Sequence, residues 1–244
     1  MWLMAMAAVA AYFIKGLCGF ANTLVFSSIV GFAADNVSIS PIELLLGYPS
    51  NVIVALKERH SVDPKVCIPL SALVLIGNIP GILLLKNADT DIIKCLFGIV
   101  IVALGIEMLL RERGTSHMKP SRVLLGITGL LSGLLCGLYG VGALLAAYMS
   151  RVTDDASAFR GNLCIIFIVE NTFRIIAYSA TGIITPDTVR QAVMLLPAMA
   201  LGLFIGLKCG DRVRASAIKR IVTIMLILSG ITLFMGSAAA VFTN

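Results

Sequence analysis

The chain has 244 residues, of which 59% are hydrophobic and 13% charged, against about 25% charged in an ordinary soluble domain. With a mean hydropathy of +0.99 and no polar stretch much longer than Arg111 to Arg122, this composition excludes a soluble enzyme and any separate soluble domain. The formal net charge of +6 comes from basic residues in short loops between apolar runs, where they orient a chain in a bilayer and give no reason to expect nucleic acid.

The first segment, Met1 to Gly31, opens on an apolar run without a basic leader region or a small-residue cleavage site. It therefore reads as retained structure and not as a signal peptide. It is interrupted by glycines at Lys15 to Asn22 (KGLCGFAN). In lipid every backbone N–H and C=O needs a partner, so such a break is tolerated only where it is buried in protein or lines a cavity. Three spans follow, at Pro41 to Leu56, Val66 to Leu85 and Cys95 to Leu110. Ser121 to Met149 is a second broken segment, interrupted at Gly133 to Gly142 (GLLCGLYGVG), and its own three spans are Gly161 to Ala180, Val189 to Leu207 and Ile221 to Phe242. Pro41 and Pro186 are expected at helix starts, where proline is tolerated; Pro69, Pro80 and Pro197 fall inside spans.

The two halves match each other. Gly16 and Gly19 fall on Gly137 and Gly140 at a shift of 121, and Gly81, Lys94, Gly105 and Ile106 fall on Gly206, Lys219, Gly230 and Ile231 at a shift of 125. This predicts an all-α polytopic membrane protein of two repeats, residues 1–118 and 119–244, within one membrane unit. The loops at 57–65, 111–122, 151–160 and 208–220 are basic, whereas those at 33–40 and 181–188 hold no Lys or Arg. All four basic loops share the cytoplasmic side if each broken segment enters and returns on the same side. A re-entrant hairpin of half-helices plus three spans crosses an odd number of times, so the repeats would be inverted, a recurring architecture of secondary transporters.

At a break, the unpaired N–H groups of a half-helix start favour an anion, and glycine lets a ligand approach the backbone. Gly16, Gly19 and Asn22 in the first half and Gly137, Gly140 and Gly142 in the second are therefore candidate substrate-binding residues. Close helix packing through small residues is the competing reading. Lys15, immediately before the first break, is a candidate for the substrate's charge, with snorkelling to the interface as its alternative. Glu170 and Arg174 are spaced i, i+4 and share a helix face; they read either as a structural ion pair or as an oxyanion-binding Arg174 beside a proton-exchanging Glu170. Asn51 lies near the repeat equivalent of Asn171, so two amides could meet across the axis. Tyr139 is a further candidate, with Tyr48, Pro49 and Ser132 weaker. Catalytic residues, cofactors and metal sites are not expected: there is no GxSxG, HExxH or Walker loop, no CxxC, and His60 and His117 are isolated. A membrane enzyme acting on a lipid phosphate is the alternative from another class, but its expected clustered carboxylates and Arg/Ser-rich loop are missing from the sequence.

The glycine-rich first segment, the run at residues 129–142 (GLLSGLLCGLYGVG), the asparagine-bearing spans and the duplicated layout resemble the sulfite exporter TauE/SafE family of membrane permeases. The resemblance covers nearly the whole chain as two tandem copies, and departs from the pattern where Ala21 and Asn22 replace a fuller glycine run. It implies a multi-pass protein of the bacterial inner membrane. Its partners would be membrane lipid and a small anionic solute, such as sulfite, sulfoacetate or an unrelated small organic acid. A homodimer is compatible with it.

Overall fold

The computed structural model describes residues 2–30, 36–87, 122–140, 142–153 and 155–213, with isolated helical residues between 99 and 109 and between 217 and 235. The spans expected at Cys95 to Leu110 and Ile221 to Phe242, and the basic loop at 111–122, lie largely outside them. Among the described residues there is helix and no strand. In chain order the helices are α1 (Trp2–Cys18), α2 (Asn22–Val30), α3 (Asn36–Lys57), α4 (Pro64–Asn87), α5 (Arg122–Tyr139), α6 (Ala143–Val152), α7 (Ala156–Ala180) and α8 (Pro186–Gly210), with a 3-10 turn at Arg59–Ser61. Stretches of α3, α4, α7 and α8 are long and apolar enough to cross a membrane, and the protein is a multi-pass membrane protein. Outward-facing Ile68, Ile76, Ile79, Ile176, Val193, Leu201 and Phe204 supply the apolar exterior that lipid requires.

Local chemistry sets several helix ends. Asp155 caps α7 by accepting from the Ala158 N–H, and Thr185 caps α8 by accepting from the Thr188 N–H, each satisfying a donor that the first turn leaves unpaired. Pro186 opens α8 as expected. Pro41 does not open α3: that helix begins at Asn36, so Pro41 and Pro49 both lie inside it. A proline near a helix start forfeits only one or two backbone bonds, and the Asn36 start carries the next residues, Ile42 and Glu43, deeper into the helix than the sequence reading had them.

Two close helix pairs frame the molecule. In the first, α1 lies along α8: a Cβ on Gly16 would fall 2.6 Å from the Leu207 nitrogen, and one on Gly206 would fall 2.2 Å from the Phe13 carbonyl oxygen and 3.0 Å from the Gly16 Cα. In the second, α4 lies along α5, where a Cβ on Gly81 would fall 2.6 Å from the Leu134 carbonyl oxygen and 3.1 Å from the Gly137 Cα. The contacting glycines, Gly16 with Gly206 and Gly137 with Gly81, are those that correspond at the sequence shifts of 121 and 125. Between the pairs, α3 packs on α7. The short helices finish the core. Phe26 and Val30 of α2 join Ala7, Ala8, Ala11 and Tyr12 of α1 in one apolar cluster, while α6 is buried from Ala143 to Met149.

At one end of the molecule Lys57 pairs with Asp211 (2.6 Å), Arg160 pairs with Glu58 (2.7 Å), and Asp211 lies 3.6 Å from Arg160. These contacts gather the loops that follow α3, precede α7 and follow α8. Three basic segments thus share a face. Asn162 ties α4 to it by accepting from the Asp63 N–H at 2.7 Å.

Candidate functional site

Both glycine interruptions are chain breaks of the same form. The first occupies residues 19–21 between α1 and α2, the second residues 140–142 between α5 and α6. Gly19 and Gly140, equivalent at the shift of 121, both adopt left-handed backbone, φ +83° and +68°, which is why glycine occupies them. Ala21 is also left-handed, φ +72°, a conformation that costs a residue with a Cβ about 1–2 kcal/mol. The breaks meet: the Thr23 hydroxyl donates to the Gly140 carbonyl at 3.3 Å.

Each break ends in the start of a short helix. Among the described residues, the Val25 N–H bonds to the Ala21 carbonyl after the first break and the Ala146 N–H to the Gly142 carbonyl after the second. The preceding N–H groups have no intrahelical acceptor. Gly142 offers α6 no side-chain cap. Asn22, Thr23, Leu24, Gly142 and Ala143 line a cavity of about 30 Å³, so two helix starts with spare donors open on one small space.

Four charged side chains line the same cavity: Lys15 from α1, Glu43 from α3, and Glu170 and Arg174 from α7. They are 1%, 4%, 2% and 1% exposed, so their charges act at short range without the screening of bulk water. Arg174 is anchored on three sides: its Nε lies 3.6 Å from the Glu170 carboxylate, and its Nη2 donates to the Ser40 hydroxyl at 3.2 Å and to Tyr178 at 3.1 Å. Asn78 donates to the other side of this pair, reaching Glu170 Oε1 at 3.1 Å. Lys15 belongs to none of the ion pairs among the described residues; its Nζ lies 5.8 Å from the centre of the Tyr12 ring. Burial 1% exposed at the cavity disposes of snorkelling for Lys15. The Glu43 carboxylate accepts from the Asn22 amide, and the Asn51 carbonyl oxygen is buried with no partner.

The predicted residues divide by role. Lys15, Asn22, Asn51, Gly140, Gly142, Glu170, Asn171 and Arg174 all border the cavity. Gly19 shapes its break and rests on Arg160, whose Cα would lie 3.2 Å from an added Cβ. Gly16 and Gly137 pack against α8 and α4 and are absent from the cavity wall. The Tyr139 side chain is outside the described residues. Tyr48 accepts a hydrogen bond from the exposed Thr172 hydroxyl, and Ser132 is buried without a partner, away from the cavity lining. Cys18 and Cys136, the thiols nearest the breaks, are buried and also do not line it. Among the described residues no cluster of His, Cys, Asp and Glu is placed to hold a metal.

Sequence reading missed Glu43. A lone carboxylate next to an apolar run is by default a functional candidate in a membrane, and that signal was available. It was hidden by placing the helix start at Pro41, which puts Glu43 in the first turn, where an acidic residue has an ordinary role opposite the helix dipole.

Chemically, the cavity offers two cations balanced by the carboxylates of Glu43 and Glu170, two runs of spare backbone donors and amides from Asn22, Asn51 and Asn171. That set suits a compact anion with several oxygen acceptors. No curated protein and no solved structure matches the chain. A family model does, the one described as sulfite exporter TauE/SafE, over residues 3–233; with almost its whole length matched, the chain belongs to this family of membrane permeases, which are transporters and not enzymes.

Proposed function

We propose that the protein carries a small sulfur oxyanion or organosulfonate, such as sulfite or sulfoacetate, across the bacterial inner membrane by alternating access. The observation that carries this reading is the convergence of two glycine-broken helix starts, Lys15 and Arg174 on one buried cavity. Helix starts hold anions through spare N–H groups and the helix dipole. In this reading Lys15 supplies the charge that the substrate meets, Asn22, Asn51 and Asn171 donate to its oxygens, and Gly140 and Gly142 keep the backbone within reach. Glu170 holds Arg174 in place and balances its charge. The cavity's volume, equivalent to about two waters, favours a compact ligand.

The residues 1–118 and 119–244 are proposed to be inverted repeats. Equivalent glycines pair between α1 and α8 and between α5 and α4, and equivalent positive-φ glycines lie at the breaks. Asn51 and Asn171 likewise border the cavity together. The face that carries Lys57, Arg160 and Arg212 would be cytoplasmic by its basic loops. Rocking one repeat against the other about the cavity would then expose it to each side in turn.

The test is a thermal-shift screen of detergent-purified protein against sulfite, sulfate, thiosulfate, sulfoacetate, taurine and simple carboxylates. A dose-dependent rise in melting temperature with a sulfur oxyanion is expected, since a ligand that binds only the folded state stabilises it. A rise with carboxylates alone would reassign the cargo to an organic acid, and no rise with any anion would remove the reading.

A further inference from the structure

The charge inventory of the cavity bears on coupling. With Lys15, Arg174, Glu43 and Glu170 all ionised the four groups sum to zero, so an entering monoanion would leave a buried net charge of −1. An uncompensated buried charge is strongly unfavourable. One proton taken up by a carboxylate as the anion enters removes the excess, so the site is neutral both empty and loaded. The two carboxylates are not equivalent candidates for that proton. Glu170 has the Arg174 guanidinium at 3.6 Å and an amide donor at 3.1 Å, so its charge already has a partner. Glu43 also accepts from a neutral amide, that of Asn22, but makes no ion pair among those of the described residues.

We infer that Glu43 is the proton-coupling group of this site, protonated when the anion is bound and ionised, facing Lys15, when the site is empty. This rests on the proposed anion site. The titratable and charged groups that act on it come from two elements. From α1 they are Tyr12, whose hydroxyl reaches the Glu43 backbone carbonyl at 3.4 Å, and Lys15; from α7 they are Arg174, Glu170 and, beside Lys15, Cys164. The amide of Asn22 and the hydroxyl of Thr23 reach it from α2, and α8 contributes apolar Ala192, Leu195 and Met199 to the cluster around Ile39, Ile42 and Leu46. In the empty site Lys15 balances Glu43. An arriving anion takes over Lys15, and Glu43 takes a proton from the water on the open side; on the opposite side the anion leaves Lys15 and the proton returns to water. A monoanion and one proton thus move together without net charge. Because Asn22 is the first residue of α2, the protonation state of Glu43 is read directly at the first break.

The experiment is calorimetric titration of sulfite into the detergent-purified protein, wild type and Glu43→Gln, in buffers of different ionisation enthalpy, which counts protons taken up per anion bound. Sulfite's own proton is common to both proteins and cancels in the difference. The expected result is about one proton fewer per sulfite bound in Glu43→Gln than in wild type. Equal counts in wild type and Glu43→Gln overturn the inference while leaving the anion site standing; wild type that binds no sulfite overturns the anion site and the inference with it. If Glu43→Gln does not fold, infrared difference spectra of wild type decide. A protonated-carboxyl band that rises on adding sulfite supports the inference, and no such band overturns it.

Discussion

Gly140 shows how single residues fix the site. Its φ of +68° needs a residue without a side chain, and an added Cβ would also fall 2.7 Å from Arg174 Nη1. Gly182, at φ +72° beyond the end of α7, has nothing within 4 Å of the same position. Alanine therefore costs about 1–2 kcal/mol of backbone strain at either glycine, but only at Gly140 must the guanidinium move. Gly140→Ala is expected to weaken sulfite binding about tenfold or more, the scale of one charged hydrogen bond, while Gly182→Ala lowers the melting temperature and leaves binding intact. Binding isotherms of the two variants check this; equal losses would show that Arg174 is not held by the break. Most cavity residues were legible in the sequence because glycine, lysine and arginine stand out at membrane depth. Glu43 carried a signal too, as a lone carboxylate beside an apolar run, but a helix start at Pro41 gave it an ordinary place in the first turn.

At the scale of elements, the glycines before the breaks do a different job from those within them. Gly16 and Gly137 were read as substrate contacts, yet they bring α1 against α8 and α5 against α4. Spacing alone does not separate the two roles, since a helix interface and a ligand both ask for a residue without a side chain. Packing predicts the consequence. Gly206→Ala places a Cβ 2.2 Å from the Phe13 carbonyl, so the helices must part, and thermal unfolding in detergent should show a loss of about 1–3 kcal/mol. Gly126→Ala, inside α5 with nothing within 4 Å of its added Cβ, should gain about 0.5–1 kcal/mol from helix propensity. A stable Gly206→Ala would refute the tight α1–α8 contact. The ends of the breaks were legible, since α2 and α6 begin at Asn22 and Ala143, again 121 residues apart, but their starts were not: α1 runs on to Cys18 and α5 to Tyr139, through residues read as broken.

For the whole molecule, the proposed repeats, residues 1–118 and 119–244, would interlock. The glycine pairs join α1 to α8 and α5 to α4, so each proposed repeat is docked on the other. This interlocking explains why the cavity draws side chains from α1, α2 and α3 of one half and from α6 and α7 of the other. It was out of reach of the sequence, in which a duplication shows as a shift but not as a mode of docking. In the proposed alternating access the two halves would move about a ligand held by buried charge. Lys15 is the cation of the cavity that lies in none of the ion pairs among the described residues. The most direct measurement is therefore counterflow of labelled sulfite into proteoliposomes loaded with unlabelled sulfite, for wild type and Lys15→Met at matched protein content and thermal stability. Transient accumulation by wild type, reduced about tenfold or more in Lys15→Met, is the predicted result; no accumulation by wild type, or undiminished accumulation by Lys15→Met, would contradict it.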